Sequence, residues 1–272
     1  MMRLVILAQL LTCWLGVSMC DMEAFGLVGG LICGDLIGSA FEGMVGSDGR
    51  AFVTSESRLT DDSRMAVATL GVLLSLPLAQ IRESDFTEAY SKIILEDRHR
   101  SVGYSPDMVM WANGEINGGM MEGNGAGIRA ATIALAVNDF PAVRRLVSAS
   151  VRITHSEEAA GMAHILADAI VAVRAGSDVS SVLTSVAEVL PLTALYSKDI
   201  YKAHAMDTTL WWTLPAAIHI GLTASNYTSL FAEVLEIGGD TDSIGAMAGA
   251  IGHARWGLNG MPKLVRERLG VM

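Results

Sequence analysis

Cysteine is scarce in this chain. Three in 272 residues cannot staple a small disulfide scaffold. Cys13 and Cys20 fall in the first twenty residues, so the remainder holds Cys33 alone, and cysteine usage says nothing about redox compartment. Proline is sparse at 6, and aromatic residues make up only 6%. Charged residues reach only 18% against 51% hydrophobic. That balance excludes intrinsic disorder, which needs low hydrophobicity and dense charge. Cations are in short supply too: 19 Lys+Arg stand against 29 Asp+Glu, a formal charge of −10. Affinity for phosphate backbones rests on cationic side chains, so no nucleic-acid partner is expected. There is no HExxH, CxxC or GxSxG segment, which removes the common zinc-protease, redox and serine-hydrolase signatures.

Long apolar runs are also rare, and the best one opens the chain. Residues 1–20 place Arg3 before an apolar stretch, with Gly16 and Ser18 at a spacing a signal peptidase accepts. The run is short and interrupted by Gln9, so no stable membrane span is expected. Residues 1–21 are therefore either a secretory leader or the product of a misassigned start, with Met19 and Met22 as later starts. The second reading makes the protein cytoplasmic, the first secreted or periplasmic. A monomer is expected.

What is present is helix-forming sequence. From residue 22 onward apolar residues recur at helical spacing, and alternating strand-like runs are scarce. Helices are expected over 64–76, 85–96, 127–137, 142–151, 157–175, 179–190, 207–222 and 229–237, with Pro215 kinking the seventh. Pro141 and Pro191 separate neighbouring segments, and Thr154-His155-Ser156-Glu157 fits a capping box. No Pro-, Gly- or Ser-rich linker divides the body. The simplest architecture is one all-α domain over 22–272.

Glycine, by contrast, is plentiful at 28. Glycines at 26, 30, 34 and 38 form an i+4 ladder, and residues 245–252 are almost entirely small. Glycine inside a helix loses about 1 kcal/mol relative to alanine, so both segments need a compensating reason, and close helix crossing supplies one. Acidic residues flank both: Asp35 and Glu42 on one, Asp240 and Asp242 on the other.

Four acidic clusters stand out: Asp35 with Glu42, Asp61-Asp62, Glu157-Glu158, and Asp240 with Asp242. First-turn glutamates favour the helix dipole, which accounts for Glu157-Glu158. Helix capping accounts for a single Asp or Thr at a helix start. It does not account for Thr60-Asp61-Asp62 and Asp240-Thr241-Asp242-Ser243, where carboxylates gather twice beside hydroxyls. Crowded carboxylates repel, and a hard divalent cation such as Mg²⁺ or Mn²⁺ removes the penalty. A third feature is the loop 113–127, whose Gly123-Asn124-Gly125-Ala126-Gly127 enters a helix and so offers backbone N–H groups to a phosphate or forms a plain flexible connection. It is neither a Walker A loop nor GxGxxG. His155 reads as a ligand contact or as a helix-start histidine bonded to backbone. Trp211-Trp212 reads as core or groove wall.

Taken together and in order, these motifs resemble the ADP-ribosylglycohydrolase family. The resemblance rests on 34–42 (GDLIGSAFE), 60–65 (TDDSRM), 123–129 (GNGAGIR), Thr154-His155 and 238–243 (GGDTDS). It implies an all-α orthogonal helix bundle with a central binuclear Mg²⁺ centre, Mn²⁺ being the substitute. The implied reaction is hydrolysis at the anomeric carbon of the distal ribose, releasing ADP-ribose from an ADP-ribosylated protein or a small conjugate. The resemblance places metal ligands on Thr60, Asp61, Asp62, Asp240, Asp242 and Ser243, where many members have threonine at the last position. It assigns catalysis to Glu42, Asp61, Asp62 and Asp242, and substrate contact to Asp35, Gly123, Asn124, Gly125, Arg129 and His155. Two other classes compete: a non-catalytic ADP-ribose binder of the same family, and another all-α metal enzyme such as a nucleotide pyrophosphatase.

Overall fold

The computed structural model describes residues 19–44, 52–190, 192, 201, 204 and 207–268. Most of the leader, residues 1–18, and Pro191 lie outside these. Among the described residues there are twelve α-helices and no strand, which makes the fold all-α as expected. In chain order they are α1 (Met19–Gly38), α2 (Asp61–Ser75), α3 (Glu83–Glu96), α4 (Pro106–Ala112), α5 (Gly125–Ala136) and α6 (Phe140–Val151). They continue with α7 (Glu157–Arg174), α8 (Val179–Val189), α9 (Leu210–Thr223), α10 (Tyr227–Ile237), α11 (Thr241–Trp256) and α12 (Lys263–Arg268). The short α4 and α12 have no counterpart among the expected helices.

Helix α11 is the hub. Every residue from Thr241 to Gly252 is buried, with α1, α5, α7, α9 and α10 packed around it. Its small residues explain the glycine ladder. A Cβ on Gly30, Gly34 or Gly38 would overlap the carbonyl oxygen of Gly249, Gly245 or Thr241 respectively, so α1 and α11 meet backbone to backbone. Gly26 takes no part, since a Cβ there would meet nothing within 4 Å. A break at Val28 (φ −131, ψ 18) separates Gly26 from the other three. His253 of α11 bridges that break, its Nδ1 accepting from the Gly30 N–H at 3.0 Å.

Two expectations about helix ends are corrected. Helix α7 is capped by Ser156, whose hydroxyl accepts from the Ala159 N–H at 3.1 Å, and not by Thr154. The Thr154 hydroxyl is taken by Arg129 instead. Helix α9 starts at Leu210 and runs across Pro215 as one element. Trp211 is 41% exposed and belongs to no core, while Trp212 stacks on His204 with centroids 3.7 Å apart.

Candidate active site

Five helices begin at one cavity of about 480 Å³, whose wall includes Asp61, Asp107, Gly125, Thr209 and Asp242. These residues sit at the starts of α2, α4, α5, α9 and α11. Helix N-termini carry partial positive charge, so a cavity ringed by them tolerates the carboxylates that line it.

The acidic floor comes from α2 and α11. Asp61, Asp62, Asp240, Asp242 and Ser243 all line the cavity, and Glu42 and Arg58 stand exposed on its wall. Thr60 caps α2, its hydroxyl accepting from the Asp62 N–H at 3.3 Å. That hydroxyl also donates to Asp35 Oδ1 at 2.7 Å. Asp35 is fully buried behind the wall, and its other oxygen accepts from the backbone N–H groups of Thr60 at 3.0 Å and Ser63 at 3.1 Å. The Ser63 hydroxyl donates to it as well. Asp35 thus ties α1 to the first turn of α2 and takes no place on the cavity wall.

Burial and mutual repulsion distort the titration of this group. Burial and the nearby Asp242 raise Asp35 to about 7. Burial, Asp242 and Asp35 raise Asp61 to about 8. Asp62 and Asp240 are pushed well above the ordinary carboxylate range by burial first and neighbouring carboxylates next. Glu42 is raised chiefly by Asp242. The Asp62 Oδ2 atom is buried without any hydrogen-bond partner. An orphaned acceptor among repelling carboxylates is what an oxygen-seeking divalent cation would relieve. Among the described residues no group of three or more His, Cys, Asp or Glu side chains is placed to hold a metal ion.

The glycine-rich loop forms a further part of the wall. Gly119, Met120 and Met121 donate their N–H groups to the Thr154 carbonyl at 2.9 to 3.2 Å, and Leu210 N–H donates to Glu122 O at 2.9 Å. The loop is therefore stitched between the entries to α7 and α9. Asn124 occupies the N-cap position of α5 but makes no side-chain cap. Its amide donates to Asp240 Oδ2, and its oxygen accepts from the Thr213 hydroxyl. The first-turn N–H groups of α5 are left uncapped beside the cavity.

Arg129 and His155 work as a pair. Arg129 is fully buried, and its guanidinium donates to the carbonyls of Gly125 at 2.9 Å and Ser150 at 2.7 Å, to the Thr154 hydroxyl at 2.9 Å, and to His155 Nδ1 at 2.6 Å. It also lies over the Tyr90 ring, 5.2 Å from the centroid. Because a guanidinium only donates, Nδ1 of His155 is an acceptor and the ring proton sits on Nε2. Burial and the Arg129 charge hold His155 well below its ordinary value, while a hydrogen bond with the Gly123 backbone opposes them. The imidazole is neutral and braces the loop, with its edge on the cavity wall.

Four contributors had no legible signal. Tyr104 lines the cavity and reaches Asp97 Oδ2 at 3.4 Å, and Asp97 is itself buried in a two-point bond with Arg64 at 2.5 and 2.7 Å. Asp97 sits in a charged EDRHR run that reads as solvated surface. Gly103 adopts φ +118, and a Cβ there would strike Asp61 Oδ1. Thr213, inside an apolar helix, supports Asn124.

The sequence model of the ADP-ribosylglycohydrolase family matches residues 22–271. The chain belongs to that family. Among solved structures, the fold is similar to a chain described as an ADP-ribosylglycohydrolase-related protein complex, with a TM-score of 0.64 and 20% identity over 92% of this chain and 94% of the other. At that identity the likeness speaks for the fold. No curated protein matches the sequence. Membership implies hydrolase activity of the ADP-ribosylglycohydrolase type, on ADP-ribosylated substrates. Among the described residues no helix is long and apolar enough to cross a membrane.

Proposed function

We propose that the protein is an Mg²⁺-dependent hydrolase that releases ADP-ribose by cleavage at the anomeric carbon of the distal ribose. One observation carries the reading: carboxylates from the starts of α2 and α11 crowd one cavity, with Asp62 Oδ2 buried and unpartnered. Asp61, Asp62, Asp240 and Asp242, with the hydroxyls of Thr60 and Ser243, are the groups that would hold two divalent ions. Bound there, Mg²⁺ would offset the carboxylate repulsion and lower the pKa of a water ligand.

The chain's own groups supply the rest. Departure of the acceptor leaves positive charge at the anomeric carbon, and the surrounding carboxylates stabilise it. Glu42, Asp61 and Asp62 are the candidate acceptors for the proton of the attacking water, and coupled carboxylates share that titration. The uncapped N–H groups of α5 face where a diphosphate would lie, with Gly123 and Gly125 allowing close approach. His155 holds the Gly123 backbone in place, and Arg129 holds His155.

The test is to incubate the protein and Mg²⁺ with ADP-ribosyl-arginine, ADP-ribosyl-serine, a nucleobase conjugate and a small ADP-ribosyl metabolite, measuring free ADP-ribose. Asp61→Asn and Asp242→Asn are each expected to abolish release. Full activity in either variant refutes the metal assignment. ADP-ribose binding without turnover of any conjugate identifies a binding protein instead, and pyrophosphate release from a nucleotide identifies a pyrophosphatase.

A further inference from the structure

We propose that Thr213 is a positioning residue for the carboxylate site, acting through Asn124 to fix the orientation of Asp240. This rests on the metal reading above. Thr213 is fully buried on α9, and Asn124 and Asp240 are each only 6% exposed. The chain of contacts is directional. The Thr213 hydroxyl donates to Asn124 Oδ1, and the Asn124 amide NH₂ donates to Asp240 Oδ2.

An asparagine amide presents a donor at one end and an acceptor at the other, so its two ends cannot be chosen independently. Asp240 Oδ2 takes the NH₂ end. Oδ1 then points at Thr213, where a hydroxyl with a proton to give is the matching group. Thr213 has a second acceptor in the Thr209 carbonyl at 3.0 Å, typical of a helical threonine. That carbonyl also receives the N–H groups of Trp212 at 3.2 Å and Thr213 at 3.3 Å, so the hydroxyl proton is available to Asn124. The contacts also explain why Asn124 sits at the N-cap of α5 without capping it. Its side chain is committed on both sides, to α9 and to α11.

Groups that hold a metal-binding carboxylate from behind typically change metal affinity 10–100-fold when removed. Thr213→Val keeps the shape and removes the hydroxyl, while Thr213→Ser keeps the hydroxyl. The experiment is calorimetric titration of Mg²⁺ into the full-length wild type, Thr213→Val, Thr213→Ser and Asn124→Ala, with helix content checked by circular dichroism. Thr213→Val should bind Mg²⁺ about 10–100-fold more weakly than wild type. Thr213→Ser should stay within a few-fold of it. Asn124→Ala should lose at least as much as Thr213→Val, and adding Thr213→Val to it should change nothing further. A general packing defect would lower the melting temperature without rescue of Mg²⁺ affinity by serine.

A folded Thr213→Val protein that binds Mg²⁺ like wild type overturns this proposal and leaves the metal reading standing. A wild type that takes up no Mg²⁺ overturns both. If Thr213→Val does not fold, Asn124→Ala carries the decision: unchanged Mg²⁺ affinity there refutes the relay.

Discussion

Alanine in place of glycine should have opposite effects at two helical positions of this protein. Gly34 lies where α1 crosses α11, and a Cβ there would overlap the Gly245 carbonyl and approach the Ala246 nitrogen to 2.6 Å. Both are backbone atoms, so no rotamer change relieves the contact. Overpacking of this kind is worth about 1–3 kcal/mol, and a backbone neighbour places it at the upper end. Alanine's better helix propensity returns about 1 kcal/mol, leaving a net loss of roughly 2 kcal/mol. Gly161 lies inside α7, exposed, with nothing within 4 Å of an added Cβ. There only the propensity and unfolded-state terms act, and Gly161→Ala should gain about 0.5–1 kcal/mol. In a chain of this size each kcal/mol moves the melting temperature by about 2–4 °C, so thermal unfolding followed by circular dichroism resolves the two signs. Gly34→Ala should also impair the site, because the same helix carries Asp35 onto Thr60 and Ser63. Equal stability of the two variants would refute the backbone-contact reading of the ladder.

Other outcomes follow from the site. Asp35 rises from 3.8 to about 7 and Asp61 from 3.8 to about 8 in the folded chain. Carboxyls raised on folding stabilise the protein most below their unfolded value, and that stability is lost as pH climbs through the folded value. The metal-free protein should therefore lose melting temperature between about pH 4 and pH 8, and added Mg²⁺ should flatten the loss. Arg129→Met removes one of the two causes that depress His155, so the ring's NMR titration midpoint should rise. The unpaired acceptors it leaves should lower stability by about 3 kcal/mol in chemical denaturation. Gly103→Ala places a side chain at φ +118 against Asp61, which should reduce ADP-ribose release and lower stability by about 1–3 kcal/mol. Wild-type turnover in that variant would show that Asp61 has room to move.

How much of this was legible in the sequence depended on how local each signal is. Thr60 sits at a helix start because its hydroxyl meets a nearby N–H, and that pattern is written within three residues. Thr154 does not cap the helix because a partner 25 residues away, Arg129, claims its hydroxyl. The ladder pointed to a helix crossing, but Gly26 could not be told from the other three, from which the break at Val28 separates it. Helix α4 carries too little periodicity to be legible, its seven residues standing between glycine-bearing loops. The pairs Asp61-Asp62 and Asp240/Asp242 were readable because each lies within three residues of sequence, beside a hydroxyl. Thr213 was not, since its partner is 89 residues distant and its own segment reads as apolar helix.

The placement of the cavity at five helix starts has a consequence for how the molecule holds together. Its wall draws on residues from Glu42 to Ser243, with no contiguous segment supplying more than a fraction. Whatever fills the cavity acts as a multi-way crosslink among segments that the chain keeps far apart. Occupancy should then be felt well beyond the wall, as slower amide exchange along α2, α5, α9 and α11 together. A break in any one connector leading into those helices would loosen the grip on all the others.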